Sequence, residues 1–246
     1  MMRTQKISFP DRQTLCVFPG ERSNLTEAIS ELKLVDHYPV IVLIGDSIAE
    51  HDAEATQRAI HTLARIAEDM NAAVICGGTD IGIMAEIGQV HSQYRYKFPL
   101  IGITLEKLVT WPDGPHNTNV LWWGTKRWNL EAHYSHFILV PGSNLVDASP
   151  WIVETATILS KGHQSVTILI NGGEVSRKDI ELSLENGRPV IALSRTGRLA
   201  DELARQPNRN KLITVAPAQA EQRIIDLVHA ALSANGDSVP AQTVIR

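Results

Sequence analysis

The amino-acid sequence predicts an α/β protein, built as a three-layer sandwich around a mostly parallel sheet. Two observations support this prediction. From Pro39 onward, short uninterrupted apolar runs alternate with segments in which apolar residues recur at helical spacing, a pattern typical of a parallel sheet covered on both faces. Several runs also end on glycine, just before residue types that start helices. A chain of 246 residues is long enough to bury the core of such a fold.

The first three predicted strands are "PVIVLIG" from Pro39, "AAVICGG" from Ala72 and "PLIGIT" from Pro99. A helix after the first strand places apolar residues on one face, namely Ala59, Leu63, Ile66 and Met70. Thr79 and Asp80 are good N-cap types. The helix behind them carries Ile83, Met84, Ile87 and Val90. These segments therefore predict consecutive strand-helix units.

The second half of the chain repeats the alternation. Further strands are "HFILVPG", "SVTILINGG", "PVIALS" and "LITVAP", with helical patterns over residues 151–160 and 177–185 and a closing helix near Ile224. We expect residues 1–38 to form a hairpin and helix that extend the sheet edge, residues 39–233 to form the main domain, and residues 234–246 to form a flexible tail.

An irregular segment, residues 106–131, interrupts this pattern and is rich in tryptophan. Its tryptophans are Trp111, Trp122, Trp123 and Trp128. A loop of this length in a compact domain is commonly functional or mobile. Its indole rings could stack on a flat base or simply cover apolar surface, and the sequence leaves both open.

Composition excludes several classes of function. A formal net charge of -4 and a pI near 6.1 lack the basic footprint of nucleic-acid binding, and no apolar run approaches the length of a membrane helix. Cys16 and Cys76 stand in apolar surroundings, which favours buried thiols. We therefore expect a cytoplasmic protein without nucleic-acid partners or direct membrane insertion.

Loops after the predicted strands are the candidate ligand site, because ligands of open parallel sheets bind at the carboxyl ends of the strands. Glycines there let backbone N–H groups approach a phosphate, and following helices add their positive ends. Arg198 could pair with the same phosphate through its guanidinium. The candidate residues are Gly45, Asp46, Ser47, Gly77, Gly78, Thr79, Asp80, Gly82, Gly142, Ser143, Gly172, Gly173, Glu174, Ser176, Thr196, Gly197 and Arg198.

Standard catalytic signatures are missing from the sequence. It contains no G-x-x-x-x-G-K-[ST] motif, no clean G-x-G-x-x-G after a strand and no G-x-S-x-G elbow, which disfavours classical NTPase, NAD dehydrogenase and acyl-transfer functions. His133 and His136 have a spacing compatible with metal ligation, but the pair alone does not define a site. We expect neither a metal nor a cofactor.

Three runs together resemble the SLOG superfamily, in the branch that prokaryotic proteins share with the cytosolic N-terminal region of melastatin-type TRP channels. They are "ICGGTDIGIMAEIG", "HYSHFILV" and "TILINGGEVSRKDIELSLENGRPVIALSRTGRLADELA". The resemblance implies a Rossmann-like nucleotide-binding domain over residues 39–233 and a ligand such as ADP-ribose. It also implies contacts with one side of the ligand from Gly77, Gly78, Asp80 and Gly82, with another from Gly172, Gly173 and Ser176, and with the pyrophosphate from Arg198.

The superfamily also includes LOG-type phosphoribohydrolases, which use a Pro-Gly-Gly-x-Gly-Thr-x-x-Glu loop. The aligned residues 171–179 replace the proline by Asn171, the third glycine by Val175 and the glutamate by Asp179. We therefore expect nucleotide sensing rather than turnover, with Asp179 as the candidate catalytic residue if the protein is an N-glycosidic hydrolase. A ligand-free interaction domain is a further alternative. A homo-oligomer or an effector protein is the expected macromolecular partner.

Overall fold

The computed structural model describes residues 2–34, 37–46, 48, 53–112, 114, 126–206 and 210–233. Nine strands form one sheet, and two short strands form a second. The strands are β1 Arg3–Phe9, β2 Arg12–Phe18, β3 Val40–Gly45, β4 Ala73–Cys76, β5 Leu100–Leu105, β6 Val109–Thr110, β7 Trp128–Asn129, β8 His136–Val140, β9 Ser165–Ile170, β10 Val190–Ser194 and β11 Ile213–Pro217.

The large sheet has the order β1-β2-β8-β5-β4-β3-β9-β10-β11. Only the β1–β2 pair at one edge is antiparallel, and every other pair of neighbours is parallel. The central strands β3, β4 and β9 are continuous runs of buried residues except at their ends, because both faces of the sheet are covered. The prediction of a mostly parallel sheet is confirmed.

Helices cover both faces and complete the three-layer sandwich. They are α1 Leu25–Glu31, α2 Ala53–Asp69, α3 Gly82–Gln93, α4 Ser149–Leu159, α5 Glu174–Glu185, α6 Arg198–Arg205 and α7 Glu221–Ser233. Buried side chains of α2, α3 and α7 share one core with one face of the sheet. Those of α1, α4, α5 and α6 share a second core with the other face.

The N-terminal segment joins the same architecture. The β1–β2 hairpin extends the sheet through parallel pairing of β2 with β8, and α1 packs into the second core. Cys16 and Cys76 are both buried, as expected. No helix in the described part of the chain is long and apolar enough to cross a membrane.

The strand order reverses between β3 and β9, and this point positions the site. From β3 the chain proceeds outward through β4 and β5, whereas β9, β10 and β11 proceed in the opposite direction. Loops on either side of such a switch point diverge and leave a crevice outside the carboxyl ends of the strands. Here the crevice lies beyond Gly45 at the end of β3 and beyond Ile170 at the end of β9.

Candidate functional site

A crevice with a volume of about 400 Å³ occupies the switch point. Its walls come from the ends of β3, β4 and β5, the N-termini of α3, α4 and α5, and the first residue of α6. Predicted site residues that line it are Gly45, Asp46, Gly77, Thr79, Gly173, Glu174, Ser176, Asp179 and Arg198. The remaining lining is mostly apolar and includes Leu43, Ile44, Ile81, Ile83, Met84, Ile103, Leu145, Ala148, Ile152 and Val175.

The second glycine pair leads directly into α5. Gly173 is the N-cap residue, and the first helical hydrogen bond runs from Arg177 N to Gly173 O at 2.9 Å. Among the described residues, the amides of Glu174, Val175 and Ser176 have no backbone acceptor, as the geometry of a helix start requires. The positive end of a 12-residue helix therefore opens onto the crevice.

Arg198 lies over this helix start. A Cβ atom on Gly173 would collide with the Arg198 guanidinium, so glycine is needed for the arginine to lie there. Both Gly197 and Arg198 adopt left-handed backbone conformations, with φ of 94° and 46°. Hydrogen bonds from Leu199 N to Gly172 O at 3.3 Å and from Ala200 N to Asn171 O at 3.0 Å fix the turn that carries the arginine.

Three of the predicted site residues do not line the crevice, namely Thr196, Gly197 and Gly172. They belong to the turns beside it. The buried Thr196 hydroxyl donates to Leu193 O at 2.6 Å and accepts from Asn171 N at 2.8 Å. It joins the end of β10 to the end of β9. This network explains how the turn after β10 holds Arg198 above the second glycine pair.

An ion pair closes the mouth of the crevice. Arg198 Nη1 donates to Asp46 Oδ2, and both side chains are about half exposed. The backbone carbonyl of Asp46 accepts from Ile83 N at 3.3 Å, which ties the end of β3 to α3. Ser47, the third predicted residue of this loop, lies outside the described residues.

Asp179 and Ser149 bring polar atoms to the buried wall of the crevice. Asp179 is 5% exposed and Ser149, the first residue of α4, is fully buried. Burial raises the pKa of Asp179 to about 6, and the nearby Ser149 hydroxyl opposes this rise. Neither Asp179 Oδ1 nor Ser149 Oγ has a hydrogen-bond partner of good geometry among the described residues.

In the first glycine pair, Gly77–Gly78, the second glycine packs against other parts of the protein. A Cβ on Gly78 would lie 2.6 Å from Gly102 Cα and 3.0 Å from the Phe137 ring, and Gly78 O accepts from Glu131 N at 3.0 Å. Asp80 is exposed away from the crevice lining, and its amide donates to Asn129 O at 2.9 Å. Gly82 begins α3 in a left-handed conformation. Of the residues predicted in this loop, Gly77 and Thr79 line the crevice, and Ile81 lines it beside them.

Gly142 and Ser143, in the loop after β8, do not line the crevice either. Their loop forms a capping box in which Asp147 Oδ2 accepts from Ser143 N at 2.7 Å and from Asn144 N at 2.9 Å. These bonds hold the pKa of Asp147 below its ordinary value. The capping carboxylate therefore already uses the amide of Ser143, one of the two residues of this loop that were predicted to contact a ligand.

Within the described part of the tryptophan-rich segment, one side chain lines the crevice. Trp128, half buried, lines it, whereas Trp111 is buried against Phe18 with ring centroids 6.1 Å apart. Trp122 and Trp123 lie outside the described residues. His133 pairs with the buried Glu131 at 2.6 Å. Within the described chain no group of three or more His, Cys, Asp or Glu side chains could hold a metal ion.

Sequence reasoning missed Ser149 and Met84 as crevice residues. Ser149 follows a short 3₁₀ helix rather than a strand, so a search of strand ends overlooks it. The signal was the capping pair of Asn144 and Asp147, which predicts a helix start nearby.

A family model described as "SLOG in TRPM, prokaryote" matches residues 38–234. Among solved structures, the X-ray structure of TM1055, a Northeast Structural Genomics Consortium target, matches with a TM-score of 0.51 and 15% identity, over 78% of this chain and 98% of that chain. This likeness shows the fold alone. No curated protein matches the chain. Since the family model spans most of the sequence, the chain belongs to the family "SLOG in TRPM, prokaryote".

Proposed function

We propose that the crevice binds a nucleotide-derived ligand such as ADP-ribose and that the protein acts as a sensor of that ligand. One observation carries the proposal. The open N-terminus of α5 lies beneath the guanidinium of Arg198, so that backbone donors and a positive side chain converge beside Gly173. Phosphate and pyrophosphate are the groups that such an arrangement favours.

The phosphate-binding groups are the amides of Glu174, Val175 and Ser176 together with Arg198. The helix contributes roughly half a positive charge at its N-terminus. Each hydrogen bond between Arg198 and a phosphate oxygen would contribute about 1.5–3 kcal/mol. The Glu174 carboxylate is 88% exposed and interacts with Arg177, which leaves the amides accessible from the crevice.

Asp46 opposes phosphate binding in the ligand-free protein because it already pairs with Arg198. An ion pair between two half-exposed side chains contributes only about 0–1 kcal/mol. A phosphate that also reaches the helix amides makes more hydrogen bonds than Asp46 does. The ligand therefore replaces the carboxylate at small cost.

The rest of the crevice suits the nucleoside part of the ligand. A volume of about 400 Å³ lies within the range of small-molecule pockets. Its buried apolar side chains and the half-buried Trp128 offer surface for a flat ring.

Nucleotide N-glycosidic hydrolysis is the second candidate, and Asp179 is the observation that favours it. A buried carboxyl with a raised pKa at a crevice is typical of functional acids. Binding without turnover is favoured because Val175 lines the crevice where the related hydrolases have a glycine. A reacting ribose would need to be positioned within about 1 Å for useful catalysis.

Calorimetric titration with AMP, ADP-ribose and NAD tests the proposal. Arg198→Ala should weaken binding by about 1.5–3 kcal/mol. Arg195→Ala is the matched control, because Arg195 is an exposed arginine of the same loop that does not line the crevice. Absence of saturable binding in the wild type, or equal losses in the two variants, would reject the proposed site.

A further inference from the structure

Asp179 and Ser149 are neighbouring polar groups at the crevice. Neither Asp179 Oδ1 nor Ser149 Oγ has a hydrogen bond of good geometry among the described residues, to each other or to other groups, and the proposed phosphate site does not use them. They come from two different helices, α5 and α4, yet both line the same cavity. Both residues are more than nine-tenths buried. An unpaired buried polar group costs about 1–3 kcal/mol, and such groups are rare in folded proteins. The pair is therefore open to hydrogen bonds with a partner that is not part of the protein.

The surroundings of this pair restrict what the partner can be. The buried side chains nearby on the cavity wall are aliphatic and include Leu43, Ile44, Ile83, Ile103 and Ile152. A phosphate would lose its hydration there without gaining a cation, since Arg198 and the α5 amides lie at the mouth. A flat ring with a polar edge fits both parts of this wall, because its faces are apolar and its edge carries hydrogen-bonding atoms.

The hydrogen-bonding groups of Asp179 and Ser149 then determine which polar edge of a flat ring would fit. Asp179 Oδ1 is an acceptor, while the hydroxyl of Ser149 can donate. Adenine presents an amino donor directly beside a ring-nitrogen acceptor. We propose that Asp179 accepts a hydrogen bond from the exocyclic amino group of adenine and that Ser149 donates one to the adjacent ring nitrogen.

This inference rests on the proposed nucleotide site and adds two features to it, the residues that recognise the adenine base and the orientation of that base. The base enters the buried part of the crevice, and the phosphate stays at the mouth on Arg198. Hypoxanthine carries a carbonyl oxygen in place of the amino group. At about pH 8, where the Asp179 carboxyl is ionised, that oxygen would face the carboxylate without a proton between them, so the site discriminates against inosine nucleotides.

The test compares AMP, inosine monophosphate and ribose 5-phosphate by calorimetry. The wild type should prefer AMP over inosine monophosphate by about 10-fold or more, equivalent to one good hydrogen bond. Asp179→Asn should remove most of this preference, because a rotated amide can donate to the carbonyl of hypoxanthine. Binding of ribose 5-phosphate should not change, since it reports only the phosphate site.

Ser149→Ala and Thr155→Val form a matched pair of controls. Each removes a buried hydroxyl of α4 that lacks a partner among the described residues, but only Ser149 lines the crevice. Ser149→Ala should weaken AMP binding about 5-fold, within the range for one hydrogen bond, and Thr155→Val should leave it unchanged.

Equal affinity of the wild type for AMP and inosine monophosphate would overturn the adenine assignment while leaving the nucleotide site in place. Failure of all three ligands to bind would reject the proposed function and the inference together. Thermal unfolding of each variant verifies that the fold is intact, and the wild-type ratio requires no variant at all.

Discussion

The two glycine pairs have the same residues after equivalent strands, but the structure uses them differently. The pair Gly77–Gly78 allows β4 and β5 to approach, because Gly78 packs directly on Gly102 and Phe137. The pair Gly172–Gly173 leaves room for the mobile end of a side chain, the guanidinium of Arg198. A glycine pair therefore indicates a close approach without indicating what approaches.

The helices that follow the two glycine pairs also differ, because they begin at different distances from their glycines. Helix α5 begins at Glu174, directly after the second pair, and its first amides face the crevice. Helix α3 begins only at Gly82, and the preceding amides of Asp80 and Ile81 already donate to Asn129 and Thr79. The loop whose glycines directly precede the helix therefore leaves the helix amides open to the crevice, whereas the loop with a later helix start uses its amides within the protein.

The buried carboxyls near the two loops continue the contrast. Glu131, whose amide binds Gly78 O, accepts from His133 N at 2.8 Å and contacts His133 Nδ1 at 2.6 Å. Asp179 has an unpartnered oxygen at the crevice among the described residues. The Glu131 carboxylate is therefore hydrogen-bonded within the protein, whereas one oxygen of Asp179 is available at the crevice.

The largest expected effect is a difference in the free energy of unfolding between variants of the two glycine pairs. Gly78→Ala should lower the free energy of unfolding by about 3 kcal/mol or more, since Gly78 has φ of 73° and its new Cβ would overlap the backbone of Gly102. Gly173→Ala should cost much less stability, because only a flexible side chain must move, yet it should weaken nucleotide binding. Urea unfolding and calorimetry measure both; equal stability losses would contradict the contrast.

The second prediction compares the pH dependence of stability with and without the Asp179 carboxyl. Burial raises its pKa from 3.8 to about 6. The folded protein thus holds the proton more tightly than the unfolded chain, so the carboxyl lowers stability above about pH 6 and this penalty disappears as the pH falls toward 3.8. The pKa difference corresponds to about 3 kcal/mol.

The wild type should therefore gain stability relative to Asp179→Asn by about 2.5 kcal/mol when the pH is lowered from about 8 to about 4. Subtracting the two urea-unfolding profiles cancels the contributions of other groups, such as His136, whose partly buried imidazole has its pKa lowered to about 4 by desolvation. Parallel profiles for the two proteins would show that Asp179 has an ordinary pKa and a solvated environment.

A smaller effect is expected at the mouth of the crevice, where Asp46 pairs with Arg198. Asp46→Asn should raise nucleotide affinity about 2- to 5-fold, because the ligand no longer competes with a carboxylate for Arg198 and an exposed pair contributes at most about 1 kcal/mol. Glu202→Gln is the control, since Glu202 pairs with Arg177 and does not line the crevice. Reduced affinity in Asp46→Asn would mean that Asp46 itself binds the ligand.

The final prediction concerns chemistry and expects no change at all. AMP, ADP-ribose and NAD should release no base above a buffer control over hours, because the proline, the third glycine and the glutamate of the hydrolase loop are all replaced here. A misplacement of about 1 Å can lower a rate on the order of 100-fold. Chromatography of the free base measures this. Saturable release that Asp179→Asn abolishes would replace the sensor by a hydrolase.

The fold could be predicted because the spacing of apolar residues along the chain indicates which strands are covered on both faces of the sheet. Strands β3, β4 and β9 are examples, since each is a continuous apolar run. The site could be predicted only in part. The contact of Asp46 with Arg198 joins residues far apart in sequence, and no local pattern records whether a loop amide is already used, as Asp147 uses that of Ser143.

The pairing of β3 with β9 has a consequence for the order of folding. Val40 finds its partner Ser165 only after most of the chain has been made, and contacts so distant in sequence form slowly because loop closure must come first. The crevice between these strands therefore cannot exist on a half-synthesised chain. Ligand binding would report completed folding, and a ligand present during refolding should stabilise the last step rather than the first.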